Sequence, residues 1–496
     1  MSRVQRWAQG PGGQAFVDRL QAFAPQLVLA AILLLTFAVY APTLTFWFMH
    51  DDFLFLRAAQ TASNPWVYVR DSFDFRNPGP PADFSFYRPL YQASFLGFYK
   101  LFGLEAWAYH LLNVSVHLAN VAFVWLIARK LTGRVLVAHG AALIFALHPA
   151  YTSAVAWVAA GNAVLETLPY LASLWFFLKY LDGGPRRLGY YAASFVAFVL
   201  ALLFHPEALV LTVLIVLAYG LLYARGTRDL LAVGPWLRLV PFVVTAIAYF
   251  QIQSWVRDHS IVQSVSFGFG PWFNDNYWHF MSFGLYPFGL STSSAYTTQH
   301  LIATIGFLVV SLTVGLVGPR RGHATTFVLY WFYLSLIPLS TFIFGADARK
   351  LYTSGPALAI LLAMFGVILW DARPRRLEGW ATGLAVALVI ALTVGTSWRA
   401  LETQEPIDSS TQDGRQLLDQ VREEYPTLPP DGLLVLVDVP WTLVVFDNTR
   451  LEAALRIYYG DIEVRGFKSE EAFLDANLQI RDEDVIFRYS DPPDSR

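Results

Sequence analysis

The chain has 496 residues, a net charge of −2, 55% hydrophobic residues and only 15% charged ones, where a soluble protein carries about 25% charged residues. Mean hydropathy is +0.44, and apolar runs of about 16 to 23 residues recur along most of the length, so the chain reads as a polytopic α-helical membrane protein. The charge balance leaves no basic surface for nucleic acid, and the absence of cysteine excludes disulfides and thiolate chemistry.

The N-terminal segment, 1–25, carries Arg3, Arg6 and Arg19 and is interrupted by Gly10 to Gly13. Phe16, Leu20 and Phe23 fit one face of a short interfacial helix. The apolar run from Gln26 to Phe48 is too long for a signal-peptide core and lacks a small-residue cleavage site, so it reads as an uncleaved first span. By the length rule there are about eleven spans in all, beginning near Gln26, His110, Val135, Leu165, Leu188, Ala208, Leu237, Leu301, Thr325, Ala357 and Trp380. The third is short and is predicted to continue past Pro149. Leu90 to Phe102 is apolar but short and holds Lys100, which predicts an interfacial helix instead of a twelfth span.

Every second connection is basic: the N-terminus, Arg129-Lys130 with Arg134, Arg186-Arg187, Arg225 with Arg228, Arg320-Arg321, and Arg373 with Arg375-Arg376. The positive-inside rule puts these on the cytoplasmic side. The opposite side then collects Asp51-Asp52, His148-Pro149, His205-Pro206-Glu207, Asp258-His259, Asp275 and Asp347 with Arg349-Lys350. A transporter would place such groups near the midplane on broken helices in two matching halves, and no internal repeat is present. A transporter or flippase of a lipid-linked glycan is the competing class, and a non-catalytic membrane scaffold is a third.

The acids Asp51 and Asp52 stand directly after the first span, behind His50. They either mark the span boundary or form the working centre of a membrane enzyme, since charge near hydrocarbon is costly. The long outer loop they open, 51–109, holds the turn cluster Asn77-Pro78-Gly79-Pro80-Pro81 and then Phe86-Tyr87-Arg88-Pro89-Leu90. Tyr109-His110-Leu111-Leu112-Asn113, His117, Ala146-Leu147-His148-Pro149 and Ala154-Val155-Ala156-Trp157 come next. Trp272 to Pro287 reads as an aromatic loop that fits an interfacial belt or a cover over a ligand.

After Trp398 the composition turns charged and soluble in character. Gln412 to Tyr425, Thr449 to Tyr459 and Ser469 to Leu478 are predicted helices, the last capped by Ser469. Gly432 to Val439, Leu443 to Phe446, Ile462 to Phe467 and Val485 to Tyr489 are predicted strands. Residues 401–496 therefore read as a small extracytoplasmic α/β domain behind a membrane domain at 26–400. The domain has no glycine-rich phosphate loop and no nucleophile elbow, which suits shaping acceptor access.

The order of the acidic pair, Tyr87-Arg88-Pro89-Leu90, His110-Leu111-Leu112-Asn113, Ala146-Leu147-His148-Pro149 and Ala348-Arg349-Lys350-Leu351-Tyr352-Thr353-Ser354 resembles the GT-C superfamily of polyprenyl-phosphate-sugar glycosyltransferases. It is most similar to the transmembrane O-mannosyltransferases with tetratricopeptide repeats, and more distantly to the classical protein O-mannosyltransferases. The resemblance covers roughly residues 26 to 370. It departs in three places: Ser153 and Gly161-Asn162 stand where the relatives usually have an acid and an arginine; their Ser-Lys-Glu appears as His205-Pro206-Glu207; and 401–496 contains no tetratricopeptide repeat. These differences bear on the acceptor and the sugar.

The resemblance implies transfer of a mannose-like hexose, with inversion, from a polyprenyl-phosphate donor to a hydroxyl of a protein, lipid or glycan, in a plasma (inner) membrane. A hydroxyl is a poor nucleophile and needs a carboxylate base, and the departing phosphate needs cations. Asp51 and Asp52 cannot point the same way, so one is the base and the other orients a loop, binds sugar or holds a cation. The family places its base first in the pair, at Asp51. Arg88 and Arg349 suit phosphate, with interfacial snorkelling as the alternative; Lys350, Tyr352 and more weakly Lys100 extend the donor set. His50, Tyr87, His148 and Glu207 are supporting or sugar-contacting candidates. His139 and Glu166 read as helix–helix partners. A divalent cation on Asp51 and Asp52, with His50, is the one cofactor the residues allow, although contiguous ligands are not diagnostic.

Overall fold

The computed structural model describes residues 11–76, 86–224, 226–259, 268–285, 298–318, 323–343, 345–374, 376, 378–429, 432–439 and 448–489, with the backbone alone for 11–22, 230 and 378. Helices stand wherever the sequence predicts a span: Pro11–Tyr40, Ala106–Thr132, Val135–Leu147, Asn162–Asp182, Arg187–Phe204, Pro206–Tyr223, Val240–Asp258, Thr298–Val317, Ala324–Ser340, Gly355–Asp371 and Glu378–Glu424. Seven of the described helices are long and apolar enough to cross a membrane, or eight if Val135–Leu147 and Pro149–Ala156, bent by 46°, form one span. Ala324–Ser340 and Gly355–Asp371 are apolar but have 17 residues each. Asn162–Asp182 is diluted by Glu166, Lys179 and Asp182.

Local chemistry explains the breaks. Gly133, at φ +68, accepts the left-handed turn that ends Ala106–Thr132, and its N–H bonds Arg129 O at 2.8 Å. His148 and His205 each precede a proline, which disfavours helical backbone at the residue before it. Each ring then caps the next turn: His148 Nδ1 accepts from Ala150 N at 3.3 Å, and His205 Nδ1 from Glu207 N at 3.4 Å.

The loop after the first span, predicted above to be the first outer loop, is largely helical, with Asp52–Thr61, Pro65–Phe73 and Pro89–Phe102. The last is the predicted interfacial helix. Asn64 starts the second by accepting from Trp66 N and Val67 N, with Pro65 at the first helical position. The turn cluster at 77–81 lies outside the described residues. The aromatic segment read as a loop is instead the helix Trp272–Phe283, which buries Phe280, Met281 and Phe283 in the bundle core; its end at 286–287 also lies outside the described residues.

The C-terminal region corrects one sequence expectation. The last span and the predicted helix at 412–425 are one continuous helix of 47 residues, Glu378–Glu424, with Pro406 inside it. At 1.5 Å per residue it is about 70 Å long, far beyond the roughly 30 Å of a hydrocarbon core. Its first part is apolar and outward-facing, with Trp380, Leu384 and Trp398 exposed; further on Ala400, Gln404, Leu417, Leu418 and Val421 are buried. One rod thus carries the small domain. There, parallel strands β1 (Leu433–Val437), β2 (Glu463–Gly466) and β3 (Val485–Arg488) lie in the order β2-β1-β3. Helices Thr449–Tyr459 and Glu470–Asp475 make the crossovers, and Ser469 caps the latter through Ala472 N at 3.1 Å. The expected strand at 443–446 lies outside the described residues.

Two apolar cores result. One fills the helix bundle around Phe145, Tyr170, Phe177, Trp331 and Tyr352. The other joins the first outer loop, through Phe53, Phe55, Tyr91 and Phe95, to Leu417, Leu451, Leu455 and Phe487 of the C-terminal region. Two polar contacts pin the same face: Arg57 Nη2 to Asp461 Oδ1 at 2.7 Å, and Gln60 Nε2 to Ile457 O at 2.9 Å.

Candidate active site

The acidic pair sits where these two cores meet. Asp52 is completely buried. Its Oδ2 accepts from Met49 N at 2.9 Å and its Oδ1 from Ala159 N at 2.6 Å, so both oxygens are committed to backbone. Burial pushes this carboxyl up to about 8, against the opposing pull of the two N–H bonds. Asp52 ties the end of the first span to the turn after His148-Pro149. That turn is itself held by Asn113, whose amide reaches Val155 O and Trp157 O at 3.4 and 3.5 Å. Gly161 lies so close to the Asn113 amide that any Cβ there would collide with it.

Asp51 turns the other way. It opens the Asp52–Thr61 helix without capping it, and its Oδ1 accepts from Arg450 Nε at 2.6 Å. Both side chains are mostly shielded. Its Oδ2 has no hydrogen-bond partner among the described residues. His50 is held at φ +46, tilted against Trp157 with ring centroids 5.6 Å apart. Burial lowers its imidazole to about 4, aided by Arg450 and Arg349 and opposed by Asp51, so it is neutral at pH 7. On the same Trp157 ring stacks Arg349, 4.5 Å from its centroid, with its Nε 2.7 Å from Asp347 Oδ2. Arg349 therefore already has a carboxylate.

A second polar cluster lies one residue further along this segment. Lys350 stands 3.3 Å over the Phe342 ring and has no ion pair among the described residues. Burial brings its ammonium down to about 8, with Asp347 opposing. Arg88 rests on Phe86 at 4.0 Å, and its Nε is buried without a partner among the described residues. Burial lowers it to about 10, which leaves it charged. Its backbone is fixed by its neighbour: Tyr249 Oη and Gln253 Nε2 both donate to Tyr87 O, at 2.9 and 2.7 Å. Facing these cations are Glu166, His205 and Glu207. Arg88 and Lys350 both act electrostatically on His205 and Glu207. Thr353 Oγ1 donates to Glu166 Oε2 at 3.0 Å, while Glu166 Oε1 is buried without a partner. A small cavity opens here beside Tyr170, Glu207, Ser335, Thr353 and Ser354.

Several expected site residues have other employment. Tyr352 is turned into the bundle, where its hydroxyl meets His117 Nδ1 at 2.7 Å and accepts from Asn120 Nδ2 at 3.1 Å. It anchors the Arg349-Lys350 segment from behind and faces no open space. Tyr87 donates to Phe73 O at 3.1 Å and is buried. His148 stacks on Tyr151 and caps a turn. Among the described residues Lys100 reaches only Ala62 O, at 3.5 Å, on the exposed end of its helix. His139 bonds Pro25 O between helices, at 3.0 Å, as expected. The acidic pair does not converge on a cation, because its hydrogen bonds diverge. Among the described residues the grouping with metal-ligand chemistry is Glu166, His205 and Glu207, whose ligand atoms lie within 4.8 Å of one another. Ligand bonds of about 2.0–2.2 Å would require these side chains to draw inward. Sequence reasoning missed Arg450, 399 positions from Asp51, and noted Asp347 and the Ala154-Val155-Ala156-Trp157 stretch without giving either a role in the site.

Comparison with known proteins agrees with this architecture. Residues 88–252, about a third of the chain, match the sequence model of the family "Dolichyl-phosphate-mannose-protein mannosyltransferase". The mouse protein O-mannosyl-transferase TMTC2 is 31% identical over 146 residues, 29% of this chain and 18% of that one. The human TMTC2 is 29% identical over 163 residues, covering 32% and 20%. The chain thus spans about a fifth of the length of these curated relatives. Among solved structures, ArnT from Cupriavidus metallidurans bound to undecaprenyl phosphate superposes with a TM-score of 0.51 at 16% identity, over 92% of this chain and 88% of that one. The Archaeoglobus fulgidus oligosaccharyltransferase tethered to an acceptor peptide gives 0.57 at 14% identity, over 92% and 65%. The chain thus shares the overall fold of these two solved membrane proteins, and residues 88–252 resemble in sequence the dolichyl-phosphate-mannose-protein mannosyltransferases.

Proposed function

We propose that the chain is an integral-membrane glycosyltransferase that moves a mannose-like hexose from a polyprenyl-phosphate donor to an acceptor hydroxyl on the extracytoplasmic face of a plasma membrane. The solved neighbours described with undecaprenyl phosphate and with an acceptor peptide support a lipid-linked donor and a separate acceptor. One observation carries the assignment of roles. The fold spends both oxygens of Asp52 on backbone N–H groups and, among the described residues, leaves Oδ2 of its neighbour Asp51 open.

In this reading the acceptor oxygen attacks the anomeric carbon from the face opposite the phosphate and its proton passes to Asp51 Oδ2. The bond from the anomeric carbon to the phosphate oxygen breaks with inversion, and the lipid phosphate leaves with one more negative charge. Arg88 and Lys350 meet that charge, being cations without an ion pair of their own among the described residues. Arg349, neutralised by Asp347, supports the Asp51 side through Trp157. Asp52 is held protonated up to about pH 8, which suits a structural carboxyl and not a base.

The test uses purified protein with a polyprenyl-phosphate-linked mannose and reads transfer or slow hydrolysis of the sugar. Asp51→Asn is expected to lose about 10²–10⁴-fold in turnover with donor binding intact. Movement of the lipid across liposomes without bond cleavage would replace this reading with that of a flippase.

A further inference from the structure

Resting on the reading of Asp51 as base, we infer that Arg450, delivered by the C-terminal domain, is a positioning residue for the reaction. It lies 399 positions from Asp51 in sequence, yet its Nε donates to Asp51 Oδ1 at 2.6 Å. Asp51 belongs to the first outer loop, and Arg450 to the first turn of the Thr449–Tyr459 helix. The contact is not a loose surface pair. The side chains retain 18% and 23% exposure, and Leu451 and Leu455 beside Arg450 are completely buried in the core shared with Phe53 and Phe55.

The chemistry depends on which oxygen is taken. An aspartate that can rotate about its terminal torsion presents either oxygen in many directions. Fixing Oδ1 by a charge-assisted hydrogen bond fixes the direction of Oδ2, and holding a base in a reactive geometry is a large part of its efficiency. Asp51 lacks the backbone bonds that immobilise Asp52, so Arg450 supplies the orientation that its own loop does not. The C-terminal domain, which carries no catalytic motif, thereby completes the site: removing it would leave a base present but undirected.

The test compares kcat, donor affinity and acceptor KM for the full-length protein and four variants. Arg450→Ala should lower kcat about tenfold to hundredfold, the worth of a charge-assisted hydrogen bond, with donor affinity unchanged. Arg450→Lys should recover part of the loss, and low concentrations of guanidinium should partly restore Arg450→Ala. Arg57→Ala removes a different contact of the same docking face and should leave kcat near the wild-type value. Wild-type turnover in Arg450→Ala overturns the inference. So does a loss that Arg57→Ala reproduces and that neither Lys nor guanidinium rescues, because Arg450 is then only part of the docking surface. Asp51→Asn is assayed alongside: if it transfers sugar at the wild-type rate the base reading itself falls, whereas an inactive Asp51→Asn beside an unaffected Arg450→Ala sinks the inference alone.

Discussion

Asp52→Asn separates the two adjacent acids by a physical quantity that does not require activity. The wild-type carboxyl accepts two backbone N–H bonds, from Met49 at 2.9 Å and from Ala159 at 2.6 Å, inside a fully buried site. An asparagine offers one oxygen and one amide NH₂, so whichever way it turns, one backbone donor faces another donor. Leaving a buried donor unsatisfied costs about 1–3 kcal/mol. Loss of charge adds little, because burial already favours the neutral carboxyl. At 1.36 kcal/mol per decade, hydrogen-exchange protection of the Met49 or Ala159 amide should fall about fivefold to 150-fold. Asp51→Asn should leave that protection alone, since the new amide oxygen can still accept from Arg450 and the site is partly open. The measurement is exchange at the two amides in detergent, followed by mass spectrometry of the peptides around 49 and 159. Unchanged protection in Asp52→Asn, or an equal loss in Asp51→Asn, would refute the division of labour.

Three further outcomes are expected. Donor affinity should be steady below about pH 8 and weaken above it, because burial depresses the free Lys350 ammonium to about 8 from its usual 10.5 and its charge is lost as pH rises through that value; Lys350→Arg should abolish the decline, and a wild-type affinity flat to pH 10 removes Lys350 from the phosphate site. Arg88→Ala should weaken donor binding about tenfold to hundredfold, and Arg349→Ala by less, since Asp347 already occupies it; the opposite ranking would exchange their roles. A periplasm-active reporter fused after Arg496 should be active and one after Arg321 silent, and the reverse would place the acidic pair on the cytoplasmic side.

Local features were the ones legible in the sequence. Apolar run length located the helices read as spans but not Trp272–Phe283, and capping and turn residues located most elements of the small domain, because those signals act within a turn or two of helix. The continuity of Glu378–Glu424 was obscured by the shift from apolar to charged residues near Trp398 and by Pro406, which signal a break. Packing overrides both: Gln404 Nε2 donates to Val39 O at 3.1 Å, and Leu417, Leu418 and Val421 bury the helix against the small domain. Tyr352 misled for a related reason. Its neighbours Arg349 and Lys350 face the polar clusters, but the turn Ala348–Tyr352 sends the tyrosine back into the bundle.

The acidic pair shows where local reasoning stops. Adjacent residues at the start of a helix must diverge, and they do. Which of the two becomes structural and which stays available is decided elsewhere. Asp52 meets its partner N–H 107 residues away, on a turn shaped by Asn113 and Gly161, and Asp51 meets Arg450 399 residues away. Exchanging the two environments would exchange the two chemistries without altering either acid. An aspartate with both oxygens on backbone N–H groups in a sealed site is held protonated at neutral pH and has no free lone pair directed at an acceptor. One with a single oxygen anchored to a guanidinium keeps the other for a proton. In the proposed reading the division between scaffold and base therefore resides in the domain contacts around the pair, which is why a substitution at Arg450 is expected to read out at Asp51.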